Sequence, residues 1–264
     1  MRFLFIGDVV GQPGVNALRS GLAAVIEREG IDLVIANGEN AAGNGSGLTP
    51  SGYRQLRSAG VDLVSLGDHV YKKRDIISVM AKDDRLCRPA NFPPDAPGAE
   101  AALAPAKDGT MVAVFCLLGR TYMRPVDCPF RAADRVLERL AGRAECIVVD
   151  MHAEATADKY LLGHHLKGRV AAVLGTHTHV PTADEQILPG GTAFVSDVGM
   201  TGPYESILGR RVDPVLSAAV TFVPAAYEVA SGDVRISGAI VDYDRTTRQA
   251  LAIKRMVEKI KDEG

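Results

Sequence analysis

The chain has no apolar run approaching the ~18 residues that a membrane-spanning helix needs, so no membrane role is expected of it. It also lacks a charge excess. Thirty Lys and Arg stand against 32 Asp and Glu, a formal charge of −2, which leaves no global basic field to hold long nucleic acid. Cysteine is scarce, and Cys87, Cys116, Cys128 and Cys146 contain no C-x-x-C pair. Only four apolar residues separate Arg2 from the first Gly-Asp, too few for the apolar part of a secretory signal, so a cytoplasmic protein with reduced thiols is expected. No linker, internal repeat or low-complexity block interrupts the chain. With 47% hydrophobic and 23% charged residues over 264 positions, it reads as a single domain, residues 1–264, with a core of its own, and disorder is excluded for most of it. The substrate expected of such a chain is small or locally bound.

Residues 2–7 form a short apolar run ending at Gly7-Asp8. The loop Gly11-Gln12-Pro13-Gly14 follows, and from about Val15 to Glu29 the apolar Leu18, Leu22, Val25 and Ile26 recur at helical spacing. The alternation continues with extended Asp32–Ala36, a glycine-rich loop, a helix over Pro50–Ala59 and extended Val61–Leu66. Further apolar runs lie at Met111–Leu118, Cys146–Val149 and Ala171–Leu174, with a helix at Phe130–Leu140. Strands alternating with helices predict an α/β fold. From Gly191 onward the segments Thr192–Ser196, Tyr227–Ala230, Val234–Tyr243 and Gln249–Ile253, broken by turn signals such as Ser231-Gly232-Asp233, predict antiparallel hairpins. A mixed sheet, or two stacked sheets with helices outside, holds both textures. Ala90–Pro105, with its prolines, is expected to be a surface excursion.

Residues able to bind metal sit repeatedly just past a predicted strand: Asp8, Glu39-Asn40, Asp68-His69, His152 and His177-x-His179. In open α/β sheets that edge is where loops converge on a crevice. Taken singly, each residue has an ordinary structural explanation, an Asp as a helix cap, a Gly-Glu-Asn as a turn, a buried His as a hydrogen-bonded one. Five strand ends bearing them together point elsewhere. Oxygen and imidazole donors without thiolate suit Mn, Fe or Zn, and eight donors are too many for one ion, so two metals are expected, roughly 3.5–4 Å apart and sharing a bridging carboxylate. His-x-His weighs most, because alternate residues of an extended segment face the same way. His164-His165 lacks a strand-end setting and is left outside the site. Gly43-Asn44-Gly45-Ser46-Gly47 lacks the ending of a phosphate-binding P-loop and reads as ordinary loop, and Lys72-Lys73-Arg74 as a solvated helix face.

The set Gly7-Asp8, Gly38-Glu39-Asn40, Gly67-Asp68-His69, His152 and Gly175-Thr176-His177-Thr178-His179 resembles the calcineurin-like metallophosphoesterases, and more closely their YmdB-like branch. Beyond the ligands the likeness extends to Arg88-Pro89-Ala90-Asn91, Leu118-Gly119-Arg120-Thr121, Pro129-Phe130 and Asp197-Val198-Gly199-Met200. It implies an αββα sandwich of two stacked mixed sheets flanked by helices. It also implies two divalent or mixed-valence metal ions, iron favoured and manganese or zinc possible, and phosphodiesterase activity on cyclic nucleotides, 2′,3′-cyclic ones above all. By the same resemblance Asp8, Asn40 and His179 hold one metal, Asp68, His152 and His177 the second, and Glu39 bridges them. His69 stands outside as proton donor while a metal-bridging hydroxide attacks phosphorus. Arg88 and Asn91 are brought toward the cleft, the residues that bind base and ribose stay unassigned, and a homo-oligomer is possible. The alternatives are a phosphomonoesterase or small nuclease on the same core, or a regulatory metal- or nucleotide-binding protein with little turnover.

Asp68 stands where the branch usually has Asn. The substitution Asp68→Asn removes one negative charge from the site, which favours hydroxide over water there. The acidic limb of kcat/KM against pH is expected to move to lower pH with activity near neutrality held or raised; an unmoved limb at equal metal occupancy removes Asp68 from the ligand set.

Overall fold

A computed structural model describes residues 1–260. In chain order its elements are strand β1 (Arg2–Ile6), the two-residue β2 (Asp8–Val9), helix α1 (Gly11–Glu29), β3 (Leu33–Asn37), α2 (Pro50–Ala59) and β4 (Leu63–Ser65). A 3-10 turn at Arg74–Ile76 runs into α3 (Ile77–Met80), followed by β5 (Leu86–Cys87), β6 (Ala102–Pro105), β7 (Met111–Leu118), α4 (Pro129–Leu140) and β8 (Cys146–His152). The rest comprises α5 (Thr156–Leu166), β9 (Ala172–Thr176), β10 (Gln186–Leu188), β11 (Thr192–Val195), β12 (Met200–Pro203), α6 (Val212–Thr221), β13 (Val234–Asp244) and β14 (Gln249–Lys259).

The first sheet runs β2-β12-β13-β1-β3-β4-β5, with β14 also paired to β13; the second runs β10-β11-β9-β8-β7-β6. Both are mixed. Within the first, β1, β3, β4 and β5 are parallel, and within the second β7, β8, β9 and β11 are. Period-two alternation then sorts the side chains into layers. Phe3, Phe5, Leu33, Ile35 and Leu63 of one sheet meet Val112, Val114, Val148, Ala172 and Leu174 of the other in the central layer. Leu4, Ile6 and Val34 face outward onto Leu18, Leu22 and Val25 of α1 and Leu56 of α2. Phe115, Val149 and Met151 face outward onto Val136 and Leu140 of α4 and Leu162 and Leu166 of α5. The result is the expected αββα sandwich. Strands buried on both faces explain why β1 reads as an unbroken apolar run rather than an alternating one.

Parallel order puts the ends of β1, β3 and β4 on one edge, and those of β8 and β9 on another. At these ends the central apolar layer stops and polar residues continue the same inward face: Asn37 after Ile35, Ser65 after Leu63, Asp150 and His152 after Val148, Thr176 after Leu174. All five are buried.

Several expectations are corrected. Ala90–Pro105 is a surface excursion only in its middle, where Pro93, Pro94, Asp95 and Pro97 are exposed: Ala90, Asn91 and Phe92 are buried, and Ala102–Pro105 is edge strand β6, antiparallel to β7. Tyr227–Ala230 forms no strand, only a single bridge from Val229 to Arg210. The segment over 192–196 joins β9 in parallel as well as β10 in antiparallel fashion, so it is only half a hairpin. The β13–β14 hairpin is as expected but reaches Lys259. Lys72 and Arg74 are exposed, in a bend and a 3-10 turn rather than on a helix face. Helix α1 begins at Gly11, with Pro13 in its first turn, where a missing N–H costs nothing. Three helices escape the sequence pattern, the four-residue α3 and the longer α5 and α6. The buried face of α5 includes Lys159 and Gly163 beside Leu162 and Leu166, and α6 has no buried residue, so neither shows a clean apolar stripe.

Phe5 is fully buried between the sheets. Replacement by Ala is expected to cost about 3–5 kcal/mol in denaturant unfolding; a loss below about 1 kcal/mol would show that the central layer repacks around the gap.

Candidate metal centre

Asp8 opens β2, a step past the end of β1, and is wholly buried. Its Oδ2 accepts the backbone N–H of His177 at 3.0 Å and its Oδ1 lies 3.7 Å from His179 Nε2. Glu39 and Asn40 follow β3, and the backbone N–H of Glu39 is fixed by Asn37 Oδ1 at 3.1 Å. Glu39 Oε1 lies 3.3 Å from His152 Nε2, and its Oε2 accepts the backbone N–H of His69 at 3.0 Å. Asp68, past β4, places Oδ1 3.1 Å from His152 Nε2 and 3.7 Å from His177 Nδ1. Ligand atoms of Glu39, Asp68, His152 and His177 all lie within 4.8 Å of one another. A Cβ on Gly67 would fall 2.3 Å from Glu39 Oε2 and 2.5 Å from His152 Nε2, so only glycine lets the chain pass. Converging carboxylates and imidazoles, no thiolate, and a backbone cleared of side chain fit a divalent metal centre.

Each imidazole is oriented from behind. His152 Nδ1 meets Thr176 Oγ1 at 2.8 Å, His177 Nε2 lies 3.3 Å from Glu154 Oε2, and His179 Nδ1 donates to the Leu208 carbonyl at 3.0 Å. With the outward nitrogen paired, the inward one of each ring is the nitrogen that offers a lone pair once the ring is neutral, the arrangement metal-ligating histidines adopt. Asn40 turns Nδ2 toward Asp8 Oδ1, Glu39 Oε1 and His179 Nε2, at 3.4, 3.2 and 3.3 Å, while its Oδ1 accepts from His69 Nδ1 at 2.7 Å. His69 is part-exposed at the rim, with Nε2 3.9 Å from Asp68 Oδ2.

Electrostatics follow from burial and crowding. Burial pushes the Asp8 carboxyl up to about 6. For Glu39 and Asp68 burial acts in the same direction, but neighbouring His152, with His69 and for Asp68 His177, outweighs it and holds both carboxyls below their usual range. Burial opposes charge on His152, yet Glu39 and the hydrogen bonds to Asp68 and Glu39 raise it well above the ordinary imidazole value. His177 is pushed down to about 4 by burial and by His152.

All eight strand-end residues thus meet, but the reason given for His-x-His does not hold. The segment is not extended. Strand β9 stops at Thr176, and His177 (φ 95°) and His179 (φ 64°) both take left-handed backbone, sending the first ring toward His152 and the second toward Asp8. Arg88 and Asn91 do not line the cluster. Arg88 donates to the carbonyls of Ala96 and Pro89, and Asn91 braces Leu118 and Asp127. The 43–47 loop is held through its carbonyls by Arg210, and His165 pairs with Asp134 between α5 and α4. Sequence reasoning missed Asp150, Thr176, Glu154 and the buried Lys159–Asp197 pair at 2.8 Å, whose Asp197 Oδ2 also takes the Thr178 hydroxyl and N–H. A signal was present for one of them: Asp150-x-His152 has the spacing that shares a strand face.

Residues 4–256 match the model of the YmdB-like protein family. The chain belongs to that family. This YmdB-like chain is 42% identical over 257 residues to a Bacillus subtilis 2′,3′-cyclic-nucleotide 2′-phosphodiesterase, covering 97% of each chain. Among solved structures, a hypothetical protein from Thermus thermophilus superposes with a TM-score of 0.91 at 43% identity, covering 98% of this chain and 99% of the other. A novel phosphatase from Mycoplasma pneumoniae superposes with a TM-score of 0.91 at 29% identity, covering 100% and 95%.

The raised value of His152 means that at pH 7 the metal-free ring carries a proton on the nitrogen a metal must take. Binding of Mn²⁺ is therefore expected to release about one proton per chain and to weaken as pH falls, more steeply below pH 6, where Asp8 protonates too. Calorimetry in buffers of different ionisation enthalpy reads this; pH-independent binding without proton release would contradict it.

Proposed function

We propose that the chain is a dinuclear-metal phosphodiesterase that opens 2′,3′-cyclic nucleotides to nucleoside monophosphates. The observation that carries the reading is the 42% identity to the Bacillus subtilis enzyme over nearly the whole chain, together with the Glu39–Asp68–His152–His177 cluster. Asp8, Asn40 and His179 hold one ion, Asp68, His152 and His177 the other, and Glu39 reaches both. Iron is the favoured metal, with manganese or zinc compatible with the same donors. When bound, the two ions supply Lewis acidity toward the phosphoryl oxygens and a water activated for attack at neutral pH.

The chain's own residues do the remainder. Asn40 Oδ1 accepts the N–H of His69 Nδ1 at 2.7 Å, which holds the ring with Nε2 at the part-exposed rim, and an amide oxygen has a second lone pair with which to meet an ion. From there the ring in its doubly protonated form passes the Nε2 proton to the departing ribose oxygen and returns to neutral, as water adds to phosphorus and one P–O bond opens. Glu39 Oε2 holds the His69 backbone N–H and so sets the donor's place relative to the ligands.

The same reading takes the whole chain as one domain, acting in the cytoplasm on a small-molecule phosphodiester. Its four free cysteines agree with a reducing compartment. Among the described residues no helix is long and apolar enough to cross a membrane. Self-association belongs to it as well: Val212, Leu216 and Val220 of α6 and Phe222 beyond it are exposed, an apolar surface of the kind that marks protein contacts.

The test is turnover of 2′,3′-cyclic AMP by the metal-loaded protein beside p-nitrophenyl phosphate and short RNA. Fastest turnover on the cyclic nucleotide is expected; preference for the monoester or RNA, or metal binding without hydrolysis, would overturn the reading. His69→Ala should lower cyclic-nucleotide turnover by about 10²–10⁴-fold with metal content kept, and by much less on a p-nitrophenyl diester, whose leaving group needs little protonation. Equal losses on both would remove His69 as proton donor.

A further inference from the structure

We propose that Asp150 is a positioning residue for the metal centre, acting through Thr176 on His152 and through Asn37 on Glu39. The inference rests on the metal-binding reading of those two ligands. Asp150 sits beneath the cluster, where the central apolar layer ends, and it collects side-chain donors from three other strands. Thr176 of β9 donates to its Oδ1 at 2.6 Å, and Ser65 of β4 and Asn37 of β3 donate to its Oδ2 at 2.6 and 2.9 Å. Asp150, Asn37, Ser65 and Thr176 are each 0% exposed, so water cannot replace a missing partner.

Counting hydrogens fixes what this node does. A threonine hydroxyl has one proton, and that of Thr176 is committed to Asp150. Its oxygen can then only accept from His152 Nδ1, 2.8 Å away. The ring therefore carries hydrogen on Nδ1, and Nε2 is the nitrogen that addresses Glu39 at 3.3 Å, Asp68 at 3.1 Å and His177 Nδ1 at 3.0 Å. The strand register places the pieces, since His152 lies opposite Thr176. On the other side, donation by Asn37 Nδ2 to Asp150 fixes which end of that amide is oxygen, and this oxygen accepts the Glu39 backbone N–H at 3.1 Å. One carboxylate, itself no ligand, thereby sets a ring nitrogen for one ion and the start of the turn that carries the bridging residue. Partners of this kind typically affect metal affinity by about 10–100-fold.

Thr176→Val keeps the shape and removes the hydroxyl, whereas Thr176→Ser keeps the hydroxyl. Mn²⁺ affinity by chelator competition is expected to fall about 10–100-fold for Thr176→Val and to stay near wild type for Thr176→Ser, while the melting temperature in EDTA drops for Thr176→Val, which leaves a buried Asp150 oxygen unpaired, with the protein still folded at the assay temperature. Asp150→Asn, similar in volume but offering an NH₂ to groups that donate, probes the node from its other end and should weaken Mn²⁺ at least as much. Equal affinity for wild type and Thr176→Val, or equal losses in Thr176→Val and Thr176→Ser, would overturn the inference while the metal reading stands. Failure of the wild type to take up Mn²⁺ would remove the metal reading and the inference with it.

Discussion

Asp8, Glu39 and Asp68 are drawn into one small volume at the edge of two sheets, and carboxylates this close repel one another unless positive charge lies among them. At a separation of 4 Å the repulsion of a pair is about 4 kcal/mol for an effective dielectric of 20. The metal-free chain answers with His152, which burial alone would keep neutral but which Glu39 and Asp68 drive toward the charged form. It answers also with Asp8, whose carboxyl is held near the point of taking up a proton. A cation does the same work without the protons. The site is thus built around a charge deficit, and its affinity for divalent ions and its sensitivity to pH arise from the same source.

That deficit constrains the scaffold. The candidate ligands come from the ends of β1, β3, β4, β8 and β9, which parallel order sets side by side. Gly67 marks how tight the convergence is, because a side chain there would occupy the volume between Glu39 and His152. Beneath the cluster the apolar layer gives way to Asn37, Ser65, Asp150 and Thr176; Asn37 and Ser65 reach across from the first sheet to Asp150 of the second, where Thr176 joins it from the next strand. The core and the site therefore share strands, and a shift of one sheet against the other would misplace both halves of the cluster.

The architecture was legible where burial is simple. Central strands such as β1 and β7, covered on both faces, appear as apolar runs, and helices α2 and α4 show their stripes. Elements whose packing is unusual were hidden: α5 presents a lysine and a glycine inward, α6 presents nothing inward, and β6 lies in a proline-rich stretch that looks like loop. For the site, residue types at strand ends were enough to collect the eight candidates, because parallel strands carry their following loops to one edge. What supports those candidates was not legible. Thr176 and Lys159 gain their parts only from cross-strand and helix-to-strand contacts, which no local spacing encodes; Asp150 alone left a trace, in its i, i+2 relation to His152.

His177 and His179 show how such hidden residues matter. Both adopt left-handed backbone, a conformation that costs of order 1–3 kcal/mol for a residue with a side chain and persists only when its surroundings impose it. The imposition is visible. Asp8 takes the His177 N–H, Asp197 takes both the hydroxyl and the N–H of Thr178, and the buried Lys159 ammonium lies against Asp197 at 2.8 Å. A buried ion pair of this kind adds little net stability over an apolar replacement, but removing one partner leaves an uncompensated charge. Its value is geometric. An extended His-x-His would send both rings to one side of the strand, whereas the braced turn splits them, the first toward His152 and Asp68 and the second toward Asp8 and Asn40. The two rings then face different parts of the cluster, and the turn that separates them is braced by a lysine and an aspartate whose side chains meet neither ring.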